Sequence, residues 1–275
     1  MAEELHTILN KSDESFNVAE SRNYSLTFEL GDKTVGFSIL DEEKNRYVAI
    51  GHFRNHLADV AAHIPLLQLP YRSVKGIIGN SRFTLIPEAL YQEEEKDNYF
   101  NFLHDREAGD VVYSDHLEHL GIWTVYSVSG HSRREIEKVF QKVITCHIST
   151  MLIQKLWMNV KNMTGRKTFL NLRDGQFDVL VFDGRQLIYC NTFHFMTPED
   201  IAYYMIFVFE QLGLNPEDVG LALLGNVDRY SPVYDLLFRY IRNIEFARRN
   251  EGCGYSYLFN EIPDHFYYSL LNPVL

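Results

Sequence analysis

An α/β protein of two lobes with mixed sheets is what this sequence points to, and three features carry that expectation. Residues Tyr24 to Phe53 read as three short strands on a hairpin rhythm, YSLTFEL, TVGFSIL and YVAIGHF, separated by the turns GDK and DEEKNR. Residues Thr168 to Phe195 repeat the design, with TFLNL, FDVLVF and QLIYCNTFHF around RDGQ and DGR. A helical pattern follows each triplet, so strands alternate with helices in both halves. A chain of 275 residues is long for one core and comfortable for two lobes of about 100–150 residues with a cleft between them. The polar, glycine-bearing stretch 161–166 is the expected boundary, giving domains 1–160 and 161–275.

The remaining elements follow from periodicity and punctuation. Residues 1–20 read as a loose lead-in. Leu57, Val60, Ala61, Ile64 and Leu67 form a helical stripe that Pro65 weakens and Pro70 closes. VKGIIG at 74–79 reads as a buried strand, and Pro87 as the first residue of a helix PEALYQEEE. A short helix is expected over 98–106, and strands over 111–114 and 122–128. Ser132 and Glu135 suggest a capping box for a helix over 132–143. A helix over 149–160 faces inward with Leu152, Ile153, Leu156, Trp157 and Val160. Thr197-Pro198-Glu199-Asp200 is a helix start, with Gly213 as its left-handed stop. VGLALLGN at 219–226 reads as a buried strand and Pro232 to Ile241 as a helix. The aromatic segment 255–275, ending NPVL, is expected to pack back across the body.

Composition excludes several classes. The net charge is −11 and no Lys/Arg run exceeds two residues, which argues against nucleic-acid binding. No apolar run reaches the ~20 residues a membrane span needs. The acidic start lacks a secretory signal. Three widely spaced cysteines, Cys146, Cys190 and Cys253, form neither a disulfide framework nor a zinc spacing. A cytoplasmic protein is the expectation. His116 and His119 are three apart but have no third ligand near them in sequence.

Two ββα-like halves, each completed by a helix, a strand and a helix, resemble the actin-like ATPase superfamily. That resemblance implies a bilobed fold of duplicated RNase H-like lobes with mixed sheets. In style the chain is most similar to the actin-like proteins of type IV pilus and type II secretion assembly, with FTLIPEAL (83–90) matching a stretch of theirs. It also resembles a Bacteroidetes family of this fold and of unknown function, which implies a bacterial source. The resemblance covers about residues 20–250 and rests on element order.

The resemblance implies an Asp-Xaa-Gly in the first hairpin to handle phosphate and Mg²⁺. Here the stretch is Glu29-Leu30-Gly31-Asp32-Lys33, with Glu in place of Asp. Magnesium's tight octahedral geometry makes the extra methylene matter. The second hairpin should repeat the motif and add a hydroxyl. Here it reads Asn171-Leu172-Arg173, with Asp174-Gly175 displaced by two and Phe177 at the hydroxyl position. The adenosine-side Gly-Gly becomes Gly225-Asn226. Each segment also has a plain reading. Gly-Asp and Asp-Gly are standard hairpin pairs, and Gly225-Asn226 can simply end a strand. Arg173 could grip an anion bidentately or lie on the surface. Glu29, Asp178 and Asp183 raise a two-metal nuclease, a remote reading because the acids belong to different lobes.

The sequence therefore favours a pseudoenzyme: a non-catalytic actin-like scaffold or adaptor with degenerate phosphate loops, a protein partner and no assigned cofactor. The alternative is an ATP-binding ATPase or phosphotransferase working with Mg²⁺ in the inter-lobe cleft, using Glu29 for metal and Arg173 for phosphate.

Overall fold

The structure is a computed structural model that describes residues 5–272. The first four residues of the expected lead-in and the final PVL of the expected tail lie outside the described residues. In chain order the elements are β1 (Thr7–Ser12), β2 (Tyr24–Leu30), β3 (Val35–Asp41), β4 (Arg46–Phe53), α1 (Leu57–His63), β5 (Ser73–Ile78), β6 (Phe83–Pro87), α2 (Lys96–Asn101), β7 (Val111–Leu117), β8 (Ile122–Val128), α3 (Gly130–Val139), β9 (Ile144–His147) and α4 (Ile148–Val160). Then follow β10 (Arg166–Leu172), β11 (Gln176–Asp183), β12 (Gln186–His194), α5 (Pro198–Gln211), β13 (Gly220–Gly225), α6 (Pro232–Tyr240), β14 (Ile244–Phe246) and β15 (Gly254–Tyr255). The chain forms two compact units. One comprises the chain up to Met151, Asn250–Ile262 and the residues from Ser269. The other comprises Leu152–Arg249 and Pro263–Tyr268. The break falls inside α4, and the polar stretch 161–166 lies within the second unit.

Both units contain the same strand order. The first has β4-β3-β2-β5-β9 and the second β12-β11-β10-β13-β14. In each, three antiparallel strands come first, and two further strands then add in parallel beside the first of the triplet. The apolar triplets explain this: β2, β3, β10 and β11 are buried along nearly their whole length, so they take central positions.

The first unit adds to this plan. The expected loose lead-in contains β1, which pairs antiparallel with β4. TILNKS has too little apolar alternation to announce a strand, and it stays mostly exposed at the edge. Asp13 anchors its end by accepting from the Ser15 amide, the Ser256 hydroxyl and the Arg46 guanidinium. Burial works against that charge, but these hydrogen bonds and Arg46 outweigh it and hold the carboxyl at about 2. The returning tail packs here too: Tyr255 stacks on Tyr47, and the Ser38 hydroxyl donates to the Leu270 carbonyl.

Between β5 and α3 lies an inserted three-stranded sheet, β6-β8-β7. It overturns the expected helix at 87–95. Pro87 closes β6 opposite Ile122, and only single 3₁₀ turns follow at Glu88–Leu90 and Glu93–Glu95. Leu90 is exposed, and Tyr91 stacks on Trp123 of β8 at 4.0 Å, so the segment buries its aromatic ring without a helix. The helix starts at Lys96, where Phe100 enters the core, and stops at Asn101 rather than Arg106. α3 is also capped differently from expectation. The Ser129 hydroxyl accepts from the Ser132 amide at 3.0 Å, which moves the start upstream and leaves Glu135 for other work.

In the second unit, α5 begins at the expected Thr197-Pro198-Glu199-Asp200 start, where the Thr197 amide donates to the Asp200 carboxylate at 2.9 Å, and ends before Gly213 at φ +59. Its Ile201, Met205, Val208 and Phe209 pack with Leu170, Leu172, Phe177 and Val179 from one face of the sheet.

One half-buried acid in the first unit makes its stability pH-dependent. Asp115 on β7 accepts from the His147 amide at 2.8 Å, the Thr150 hydroxyl at 2.7 Å and the Tyr126 hydroxyl at 3.3 Å. Burial outweighs these donors and pushes its carboxyl from 3.8 up to about 6. The folded state thus holds the proton over a range where the unfolded chain releases it. The associated stability is full below pH 3.8 and is lost as pH rises through about 6. We predict that chemical denaturation shows this loss, on the order of 2–3 kcal/mol. Asp115→Asn should flatten it, because an amide oxygen can keep the His147 and Thr150 donors while its NH₂ faces Tyr126. An unchanged pH slope in that variant would refute the assignment.

Candidate functional site

The second hairpin is built around one carboxylate. Asn171 on β10, Asp178 on β11 and Thr192 on β12 lie side by side across three adjacent strands. The alternation that sends Phe177 and Val179 into the α5-side core sends Asp178 to the opposite face, where it is fully buried. Both its oxygens are fully engaged. Oδ2 accepts from Asn171 Nδ2 and Arg173 Nε, each at 2.9 Å. Oδ1 accepts from Arg173 Nη2 at 2.8 Å and the Thr192 hydroxyl at 2.7 Å. Burial opposes ionisation, but the Arg173 charge and these four donors prevail, so the carboxyl lies below its usual range.

Arg173 therefore does grip a carboxylate bidentately, and that carboxylate is its neighbour five residues on. The turn itself is a two-residue hairpin: the Arg173 amide donates to the Gln176 carbonyl at 2.9 Å, with Asp174 and Gly175 exposed at the tip. Gly175 takes φ +70. Phe177 is wholly buried against Phe193 and Phe195.

Gly225 ends β13 at φ +79, and a Cβ there would come within 2.0 Å of the Leu172 carbonyl oxygen. The backbone that demands this glycine is the chain's own. The Gly225 amide donates to the His265 carbonyl and the Asn226 amide to the Leu172 carbonyl, both at 2.9 Å. The Val227 carbonyl can only accept, so the His265 Nε2–H donates to it at 2.6 Å, and burial lowers the proton affinity of the ring. The side of Asn226 is exposed.

In the first unit the matching hairpin closes through the Gly31 amide and the Thr34 carbonyl at 2.9 Å, with Asp32 and Lys33 exposed at its tip. Glu29 lies next to Gly36 and Ile77 on the flanking strands and accepts a hydrogen bond from the Ser269 hydroxyl. The structure thus gathers Asn171 and Arg173 around Asp178 and places Leu172, Gly225 and Asn226 at adjoining strand ends. Thr192 is the member that sequence reading missed. Its only signal is register, fourteen residues from Asp178 across a hairpin. Asp178 and Asp183 are five apart on β11 and so face opposite ways; Asp183 pairs with Arg166 at 3.2 Å.

The chain belongs to the family described as "Protein of unknown function (DUF3822)", whose model matches residues 13–244. Among curated proteins none matches it. It has the actin-like ATPase fold. A Bacteroides thetaiotaomicron protein described as having that fold and unknown function is similar at TM-score 0.76 and 21% identity, covering 84% of this chain and 93% of that one. A chain of the PilM–PilN type IV pilus biogenesis complex is similar at TM-score 0.61 and 11% identity, covering 90% of this chain and 97% of that one. Nucleotide and Mg²⁺ are what this fold implies, and the residues of the second unit do not fit them. Asn171 brings no charge, Arg173 is committed to Asp178, and the close approach at Gly225 is taken by Leu172.

Two expectations follow for the second unit. Arg173→Ala should strip a fully buried carboxylate of its cation and cost about 3–5 kcal/mol in urea unfolding, with Arg173→Ala/Asp178→Asn recovering part of the loss. A loss below about 1 kcal/mol would contradict a buried pair. Gly225→Ala should cost several times more than Gly175→Ala. Both glycines have positive φ, worth about 1–2 kcal/mol, but only Gly225 also meets a carbonyl, whereas a Cβ at Gly175 has open space.

Proposed function

We propose that this DUF3822 protein is a non-catalytic actin-like scaffold or adaptor of the bacterial cytoplasm that works by recognising another protein. The observation that carries this reading is the commitment of Arg173 to Asp178. In a phosphate loop, amides and a charge must be held ready for an anion outside the chain. Here the arginine at the mouth of the second hairpin is spent on a carboxylate within the same sheet, and Asn171 is drawn in beside it. The positions Glu29, Gly31, Asp32, Lys33, Asn171, Arg173, Asp174, Gly175, Gly225 and Asn226 are on this reading remnants of phosphate loops, kept for turn geometry.

Four further points support a protein partner. The net charge of −11 disfavours nucleic acid. Among the described residues no helix is long and apolar enough to cross a membrane. The similar PilM–PilN chain comes from a complex of two proteins. Tyr203 and Phe207 on α5 and Phe238 on α6 are also exposed, and aromatic residues of this kind are enriched at protein interfaces.

Calorimetry of the purified chain against ATP, ADP and GTP, with and without Mg²⁺, tests the reading. No saturable heat is expected with nucleotide up to about 1 mM, the weakest affinity such a titration resolves. Mg²⁺-dependent micromolar binding, abolished by Glu29→Gln, would replace the scaffold with an ATPase or phosphotransferase.

A further inference from the structure

Histidines far apart in sequence meet in the first unit, on the helices α1 and α3, which pack against each other. His56 is the N-cap of α1 and His131 the second residue of α3. Glu135 lies one turn further along α3, on the same face as His131. His56 Nδ1 is 3.9 Å from Glu135 Oε2, and His131 Nε2 is 3.5 Å from the same oxygen. One ligand atom from each of the three residues lies within 4.8 Å of the others. The two imidazole rings meet edge to face, with centroids 5.2 Å apart and planes at 83°. The other Glu135 oxygen accepts from the Ala58 amide in the first turn of α1 at 3.4 Å, which holds the carboxylate between the helices.

We infer that His56, His131 and Glu135 form a binding site for a divalent transition-metal ion, with Zn²⁺ the expected occupant. Zinc bonds of about 2.0–2.2 Å place the donor atoms of a tetrahedral site roughly 3.3–3.5 Å apart. The carboxylate–imidazole separations are already close to that. Both imidazoles are more than half exposed, at 56% and 61% of their side-chain surface, so they can turn to bring their nitrogens, now within 4.8 Å of one another, to bonding separation without disturbing the core. Two imidazoles with one carboxylate suit Zn²⁺, Ni²⁺ or Co²⁺ and exclude the hard Mg²⁺ and Ca²⁺, which prefer an all-oxygen shell. Two neutral rings and one carboxylate leave the bound ion with a net charge of +1. The fourth position stays open to water or to a donor from another molecule. Glu135, fixed by the Ala58 amide, resembles the pre-oriented ligands of other metal sites. The histidine pair that the sequence suggests behaves differently: His116 stacks on Trp123 at 4.3 Å and sits 3.4 Å from Glu88.

The test uses the untagged, metal-stripped full chain, titrated with Zn²⁺ by calorimetry and with Co²⁺ by visible absorption. We expect one equivalent of Zn²⁺, a Co²⁺ d–d spectrum that Zn²⁺ displaces, and a Zn²⁺-dependent rise in melting temperature. His56→Ala, His131→Ala and Glu135→Gln should each weaken binding at least about tenfold, while His119→Ala leaves it unchanged. The exposure of both imidazoles lets the histidine variants fold, which far-ultraviolet circular dichroism of each verifies. Failure to take up one equivalent at about 100 μM Zn²⁺, or binding that survives His56→Ala/His131→Ala, would overturn the site.

Discussion

A carboxylate without water must be satisfied by the protein, and in the second unit Asp178 sets that demand. An ionised acid at the centre of a three-strand row would be prohibitively costly to bury alone. Four donors from three side chains, two on each oxygen, remove the cost. This single requirement accounts for Asn171 and Thr192 on the flanking strands and for an arginine at the mouth of the hairpin. It also fixes the register of β10, β11 and β12, because a slip of one residue would turn the acid into the aliphatic core and break every bond to it.

The same constraint separates shared topology from shared chemistry. Both units repeat one strand order, and in both the first parallel strand ends against the terminal carbonyl of the triplet's first strand: Gly79 donates to Leu30, and Asn226 to Leu172. Gly225 serves the chain crossing in the second unit, as its approach to the Leu172 carbonyl demonstrates. At the hairpin mouths the units differ. The first engages Glu29 with the hydroxyl of Ser269 from the returning tail. The second closes on itself through Arg173 and Asp178. One strand order thus carries different polar groups at its hairpin mouths in the two units.

Much of the architecture was legible in the sequence. Both strand triplets showed short apolar runs on a hairpin rhythm, with Gly-Asp or Asp-Gly in three of their four turns, and Thr197-Pro198 announced α5. The misses share a cause: the deciding partner was remote. TILNKS becomes a strand only because β4 offers an edge. Pro87 reads as a helix start until Ile122 is placed opposite it. Ser129 and Ser132 are equally good caps by composition, and Glu135 could not be assigned without α1 beside it. For the site, the sequence showed which motif positions had changed. It could not show that Arg173 faces Asp178, because that contact depends on strand pairing, nor that His56 reaches His131 across 74 intervening positions of helix and inserted sheet.

The claim most exposed to test is that Arg173 is an internal strut. The side-chain Nε–H resonance of Arg173, assigned by nitrogen-15 NMR through its loss in Arg173→Lys, reports on it directly. A strut predicts a sharp, slowly exchanging resonance that does not move when millimolar Mg²⁺-ATP or inorganic phosphate is added. A resonance that exchanges rapidly with water and shifts saturably with either anion would show a guanidinium available to ligand, and would contradict the account.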